Sequence, residues 1–107
     1  KRVMFLFDDK FEITANTLCT LRQASEYGDE LFVLIDSSNK ESSELYPYKL
    51  ELEELKYIDC VLIKDCVSTD EILQNNLIDA IALEDTPENR AKYENSYNDY
   101  EKVFIKR

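Results

Sequence analysis

The sequence predicts a small α/β domain, a five-stranded parallel sheet of order 3-2-1-4-5 with helices on both faces. Short apolar runs rich in strand-forming residues recur along the chain, and segments with helical spacing separate them. One run, "LFVLI", is too continuously apolar for a half-exposed strand and is typical of a buried parallel one. This alternation favours right-handed crossovers in a Rossmann-like sheet. At 107 residues, positions 1–107 form a single domain.

Each element has a local signal. Thr14, Ser68 or Thr69, and Thr86 followed by Pro87 are predicted helix starts. The expected elements are strands at 2–7, 31–35, 58–63, 78–83 and 102–106, and helices at 14–27, across 47–56, from 68 or 69, and from 86.

The sequence predicts the local conformation of the chain at two further positions, Gly28 and Pro47. Gly28 is the only glycine, and it lies between the first helix and the second strand. Glycine takes the left-handed conformation just past a helix end, so we expect Gly28 to adopt it. Pro47 suits the first turn of the second helix, so the segment "DSSNKESSE" before it is expected to be a solvated loop.

Charge and composition exclude several classes of protein. The chain has 13 basic and 23 acidic residues, a net charge of −10, which is the wrong sign for following a phosphate backbone. No apolar run approaches the roughly 20 residues of a membrane span. We therefore expect neither nucleic-acid binding nor a membrane-spanning segment.

The cysteines and the absence of histidine limit the metal sites and catalytic mechanisms that the chain can have. Cys19, Cys60 and Cys66 are odd in number and lack metal-ligand spacing, which favours reduced core thiols in a cytoplasmic protein. The chain has no histidine, so Ser-His-Asp and Cys-His catalysis are excluded. A single glycine excludes the glycine-rich phosphate-binding motifs.

Ligands of such sheets bind beyond the carboxyl ends of the strands. The residues that this rule brings together are Asp8, the first-helix start at Thr14 and Thr17, Asp36 with its loop, and Glu84, Asp85 and Thr86. Acid pairs such as Asp8 with Asp9 or Glu84 with Asp85 are potential Mg²⁺ ligands beside a nucleotide. Adjacent acidic residues are also common on the surface of an acidic chain without any bound metal.

Several stretches together resemble the choline- and ethanolamine-phosphate cytidylyltransferases. "TANTLCTLRQASEYGDELFVLID" is similar to that family's segment from the H-x-G-H motif through the first helix into the second strand. "LKYIDCVLI" resembles its R-Y-V-D-E-V stretch, "VSTDEILQNNLIDAIALEDT" its H-G-D-D corner, and "SYNDYEKVFIKR" its Y-x-x-x-K…R-Y-R ending. The likeness runs collinearly over nearly the whole chain.

The resemblance implies transfer of CMP from CTP to a phosphoalcohol, with Mg²⁺, in phospholipid biosynthesis. The family's functional positions are changed here, because Thr14 and Thr17 stand at the two histidines and Phe5 at the strand-one glycine. The H-G-D-D corner reads Leu83-Glu84-Asp85-Thr86, and the family's late S-T-T motif would follow Arg107. Lys40 is a candidate for the substrate-binding lysine.

Two neutral hydroxyls in place of charge-assisted donors weaken each phosphate contact roughly twofold. Loss of one oxyanion donor costs about 10²–10³ in rate. We therefore expect a catalytically inactive cytidylyltransferase-like domain, retained for association with itself or a related partner. The alternatives are an active enzyme with a rearranged site that uses Thr14, Thr17 and lysines, and a nucleotide-binding sensor without chemistry.

The resemblance also implies a dimer contact, because the family's R-Y-V-D-E stretch lies at a two-fold interface. Lys56, Tyr57 and Asp59 match it. We expect Tyr57 and Asp59 to point outward by strand alternation, with Tyr57 near the dimer centre.

Overall fold

The computed structural model describes residues 1–7, 13–36, 42–64 and 67–106. Five parallel strands form one sheet in the order β3-β2-β1-β4-β5, which confirms the predicted fold class and strand order. The elements are β1 (Arg2–Phe7), α1 (Ala15–Ser25), β2 (Glu30–Asp36), α2 (Ser42–Glu53), β3 (Cys60–Lys64), α3 (Thr69–Asn75), β4 (Ala80–Glu84), α4 (Pro87–Tyr93) and β5 (Glu101–Ile105).

Strand alternation divides the core into two layers, one on each face of the sheet. Val3 and Phe5 of β1 pack in the layer under α1 and α2, which contribute residues such as Leu21 and Leu52. Met4 of β1 packs in the opposite layer, under α3 and α4. The two layers explain why the central strands read as continuous apolar runs.

The second strand lies where its composition predicts. β2 pairs with β1 on one side and with β3 on the other, and Leu31 through Ile35 are all buried. A strand covered on both faces gains nothing from alternating polar residues.

Three helices begin at the predicted caps. The hydroxyls of Thr14, Ser68 and Thr86 each accept the backbone N–H of the residue three positions later. Each satisfies one of the orphan donors at a helix start. Pro87 occupies the first turn of α4, where its missing N–H has no cost.

The second helix differs from the prediction. α2 begins at Ser42, so Pro47 lies in its interior and part of the expected loop is helical. Interior proline costs a helix about 3 kcal/mol because it removes one hydrogen bond and crowds a carbonyl. Leu45 and Leu52, 1% and 0% exposed, anchor the helix on both sides of the proline, and we attribute its persistence to their burial.

Gly28 lies in the predicted turn between α1 and β2, but the predicted left-handed conformation is wrong. No glycine has a positive φ, so Gly28 is not left-handed. A Cβ at this position would lie 2.7 Å from the Lys1 carbonyl oxygen and 2.8 Å from Cγ2 of Val3. That carbonyl accepts the N–H groups of Asp29 and Glu30. Glycine is required here because the turn passes against the start of β1.

A leucine takes the conformation expected of the glycine. Leu77 has φ 54° just after α3, and its N–H donates to the Gln74 carbonyl while that of Ile78 donates to the Leu73 carbonyl. These two bonds define a Schellman ending, in which Ile78 and Leu73 pack in the same core layer.

The thiols are less buried than expected. Cys19 is exposed on α1 and Cys60 is half-buried, while Cys66 lies outside the described residues. The inner face of α1 consists of Thr20, Leu21 and Ala24 instead, which leaves Cys19 on the solvent side.

Among the helices that the structure describes, none is both long and apolar enough to cross a membrane.

Candidate functional site

The carboxyl edge of the sheet is the expected ligand-binding edge. The segments that follow β1, β2 and β3 there, 8–12, 37–41 and 65–66, lie outside the described residues. Two predicted site residues, Asp8 and Lys40, fall in those segments. The described candidates are Thr14 and Thr17 at the start of α1, Asp36 at the end of β2, and Glu84, Asp85 and Thr86 at the end of β4.

Thr14 and Thr17 form one hydrogen-bonded unit at the start of α1. Thr14 has an extended backbone, and its Oγ1 accepts the N–H of Thr17 at 3.2 Å. The two hydroxyl oxygens are 3.1 Å apart. The pair therefore caps the helix that follows β1 and presents two neutral hydroxyls at the carboxyl edge.

The corner after β4 is held together by its own side chains. Thr86 Oγ1 accepts the N–H of Asn89 at 3.1 Å, and Asn89 Nδ2 donates to the Glu84 carbonyl at 2.9 Å. The Asp85 N–H donates to the Ile105 carbonyl at 2.8 Å, which joins the corner to β5. This corner is an ordered structural turn.

Asp85 is paired with a cation. Its carboxylate accepts two hydrogen bonds from Arg90, at 2.6 Å from Nε and 3.2 Å from Nη2. Hydrogen bonds from Arg90 hold the pKa of Asp85 below its ordinary value, and the same bonds raise the pKa of Arg90. Within the described ranges, no three Cys, Asp or Glu side chains come close enough together to bind a metal ion.

Sequence reasoning missed a groove between α4 and β5. Its volume is about 450 Å³, and it is lined by Arg90, Ala91, Glu94, Lys102 and Phe104. The Arg90 guanidinium lies 4.6 Å from the centre of the Phe104 ring, a cation–π contact. The available signal was the alternation of Lys102 and Phe104 on β5, which places both on one face under α4.

Lys102 closes the end of α4. Its ammonium group donates to the carbonyls of Tyr93 at 3.0 Å, Glu94 at 3.1 Å and Ser96 at 2.8 Å. These carbonyls are at or just beyond the helix end, where the last turn lacks intrahelical donors and the helix dipole favours a cation. Lys102 is thus a structural residue of this groove.

We expect Lys102→Met to lower the free energy of unfolding by about 1–2 kcal/mol, because the ammonium hydrogen bonds are lost while the side-chain length is kept. Urea unfolding measures the change. Lys106→Met is the matched control, since Lys106 is exposed and follows the same strand, and it should change stability by less than about 0.5 kcal/mol. Equal effects of the two substitutions would contradict the capping role.

The predicted dimer residues precede the third strand, which begins at Cys60. Tyr57 is half-buried against the α1 and α2 core layer, and its hydroxyl donates to the Leu18 carbonyl at 3.2 Å. Burial raises the pKa of Tyr57. Asp59 Oδ2 accepts the Leu31 N–H at 2.8 Å, and Lys56 is exposed. Strand alternation therefore does not turn Tyr57 outward, and the dimer contact stays a prediction.

The chain matches no known protein-family model, and no curated protein sequence matches it at a significant level.

Proposed function

We propose that this chain is a cytidylyltransferase-like domain of the phosphocholine and phosphoethanolamine type that does not transfer CMP. In this proposal the domain acts in the cytoplasm, alongside phospholipid biosynthesis, as an association module for itself or a related domain. Two features support the proposal: the collinear resemblance of the sequence and a parallel sheet of order 3-2-1-4-5. A fold alone is compatible with many functions, so support for this one must come from the residues of the candidate site.

The observation that carries the proposal is the bonding of Thr14 and Thr17. They stand where the family has its two phosphate-binding histidines, and the chain has no histidine to replace them. Thr14 Oγ1 is committed to the Thr17 N–H, which is a helix-capping role that requires no ligand. Neutral hydroxyls also lack the charge that assists phosphate binding.

Phe5 supports the same proposal from the strand side. It stands where the family has a glycine that lets the triphosphate approach, and here the ring is 2% exposed. It packs in the α1 and α2 core layer, with the Phe7 ring centre 4.8 Å away. The position of the family's glycine is therefore occupied by a buried aromatic side chain of the core.

Incubation with CTP, Mg²⁺ and phosphocholine or phosphoethanolamine tests the proposal by measurement of pyrophosphate. We expect no release above that of a Thr14→Ala, Thr17→Ala double variant, because these residues already lack the charged donors that the reaction uses. Loss of the cap at Thr14 costs stability, about 1 kcal/mol. Ser68→Ala is the matched control for that loss, since Ser68 caps α3 outside the candidate site.

The outcomes separate the alternatives. Pyrophosphate release that falls in the double variant but not in Ser68→Ala would contradict the proposal and establish an active enzyme with a rearranged site. Titration calorimetry that detects CTP binding without turnover would instead establish a nucleotide sensor. The proposal predicts that neither pyrophosphate release nor CTP binding is detected.

A further inference from the structure

The outer face of α2 exposes two large apolar side chains. Tyr46 and Leu50 lie one helical turn apart and are 53% and 48% exposed. Among the described residues, they are the one pair of large exposed apolar side chains that share a helix. Leu45 and Leu52 of the same helix are buried in the core and already hold α2 on the sheet. The exposed pair is therefore not needed to attach the helix.

Acidic side chains surround this pair. Glu51 and Glu53 are exposed residues in the last turn of α2, and Glu54 directly follows the helix. By helical geometry, Glu54 continues the row of Tyr46 and Leu50 by one more turn, and the other two glutamates lie on either side of this row. Exposed apolar side chains rimmed by charges are typical of an interaction surface.

The acids of this face outnumber its bases. Lys49 is paired with Glu53 at 3.0 Å. Among the described residues, Glu44, Glu51 and Glu54 have no ion-pair partner. The face therefore carries an excess of negative charge, which is complementary to lysine and arginine side chains.

The acids are placed against the stability of the helix itself. The helix dipole favours bases in the last turn, whereas the last turn of α2 contains Glu51 and Glu53 and no base. Glu51 and Glu54 are like charges three residues apart, and they repel each other. Pro47 has no N–H to donate to the Ser43 carbonyl, which removes one further intrahelical bond. Local rules broken in this way are typical of functional surfaces.

One kind of partner relieves these costs. Lysine or arginine side chains of a partner would pair with Glu51 and Glu54, and their positive charge would lie where the dipole of α2 favours it. Apolar side chains of the same partner would cover Tyr46 and Leu50. An amphipathic helix presents both kinds of side chain on one face and packs its ridges against another helix. A second copy of this chain, with its net charge of −10, would be repelled.

We propose that the outer face of α2, built from Tyr46, Leu50, Glu51 and Glu54, binds a basic amphipathic helix of another protein. The apolar stripe of that helix covers Tyr46 and Leu50, and its lysine or arginine side chains pair with the glutamates. The inference goes beyond the proposed function, because it names a partner whose charge is opposite to that of this chain. It does not rest on the loss of CMP transfer, so the pyrophosphate assay and the binding tests are decided separately.

A synthetic basic peptide is the probe for this surface. It has about 14 residues, or four helical turns, with leucines in one stripe and lysines elsewhere. Fluorescence anisotropy of the labelled peptide shows saturable binding to the wild-type domain, and NaCl weakens the binding by screening the charges. A peptide of the same composition, with the leucines spread around the helix, binds at least about fivefold more weakly. Absence of saturable binding, or equal binding of the two peptides, overturns the proposal.

Charge reversal tests the acidic part of the surface. Glu51→Lys combined with Glu54→Lys weakens peptide binding at least about tenfold, because attraction becomes repulsion at both positions. The matched control is Glu26→Lys combined with Asp99→Lys, at exposed positions outside α2. Both double variants change the net charge by the same amount, and the control alters binding by less than about twofold, because distant surface charges are screened. Equal losses would show attraction by net charge alone and would overturn the assigned surface.

Removal of the apolar side chains tests the other part. Tyr46→Ser combined with Leu50→Ser weakens binding at least about tenfold, because the apolar area that the peptide buries is lost. Tyr27→Ser combined with Leu77→Ser is the matched control, since it removes the same two side-chain types at exposed positions just after α1 and α3. The control leaves binding unchanged. Undiminished binding to the α2 double variant overturns the proposal.

Thermal unfolding without peptide separates binding from a structural role. The Glu51→Lys, Glu54→Lys variant unfolds at a higher temperature than wild type, because lysines suit the C-terminal end of a helix and the repulsion between the glutamates is removed. Weaker binding together with greater stability is the result that the proposal predicts. A lower unfolding temperature would show that the glutamates stabilise the fold, and it would overturn the inference that they are kept for a partner.

Discussion

Substituting Phe5 with alanine is expected to lower the free energy of unfolding by about 3–5 kcal/mol. Phe5 is 2% exposed in β1, the central strand of the sheet, and it pairs across to Val33 of β2 and Ala82 of β4. The cavity left by the ring is closed in by these neighbours and cannot collapse easily. Urea unfolding followed by circular dichroism measures the loss, a large part of the 5–15 kcal/mol typical of a domain.

Phe5→Leu is the matched control, because it keeps most of the apolar volume. We expect a loss of less than about 1.5 kcal/mol. A loss below about 1 kcal/mol for Phe5→Ala would contradict the core role. Phe5→Gly, which introduces the family's residue, should be at least as destabilising as Phe5→Ala and should not create CTP binding.

Substituting Gly28 with alanine is expected to cost about 1–3 kcal/mol through overpacking. The added Cβ would meet the Lys1 carbonyl oxygen at 2.7 Å and Cγ2 of Val3 at 2.8 Å. The carbonyl is held in place by the N–H groups of Asp29 and Glu30, so the chain cannot move aside without losing hydrogen bonds. Chemical unfolding measures the cost.

A double-mutant cycle with Val3→Ala separates the two contacts. Val3→Ala removes the Cγ2 atom, so the cost of Gly28→Ala should fall by at least about 0.5 kcal/mol in that background. Glu26→Ala, at an exposed position two residues earlier, is the control and should change stability by less than about 0.5 kcal/mol. Additive effects of Gly28→Ala and Val3→Ala would show that the Val3 contact carries none of the cost.

Local signals predicted the elements well. The caps Thr14, Ser68 and Thr86 were readable because a side chain and the N–H three residues on suffice to form them. The buried run of β2 indicated a central parallel strand for the same reason, since its composition records burial on both faces.

Local signals failed where a distant segment decides the conformation. Pro47 marks a helix start by its own chemistry, yet α2 extends five residues before it, packed on the sheet. Tyr57 precedes β3, and its hydroxyl reaches Leu18 on α1. Neither result follows from neighbouring residues.

The candidate site was predictable only in part. The placement of Thr14, Thr17, Asp85 and Thr86 at the carboxyl edge follows from the parallel direction of the strands, because these residues come after β1 and β4 in the chain. Their partners do not, because the Asp85–Arg90 pair and the hydrogen bonds of Lys102 depend on how α4 packs on β5. A lysine on an edge strand gives no local sign of a helix end that folds above it.

The sequence by itself determined the α/β class, the strand order and the absence of histidine chemistry, because hydrophobic periodicity, crossover handedness and composition need no distant contact. Only the tertiary structure decided why Gly28 is glycine and why Leu77 is left-handed instead. Gly28 is constrained by the approach of β1, whereas Leu77 is held by the Schellman bonds and the burial of Ile78 against Leu73. Backbone preference sets which residue suits a turn in isolation, and packing between segments far apart in sequence overrides it.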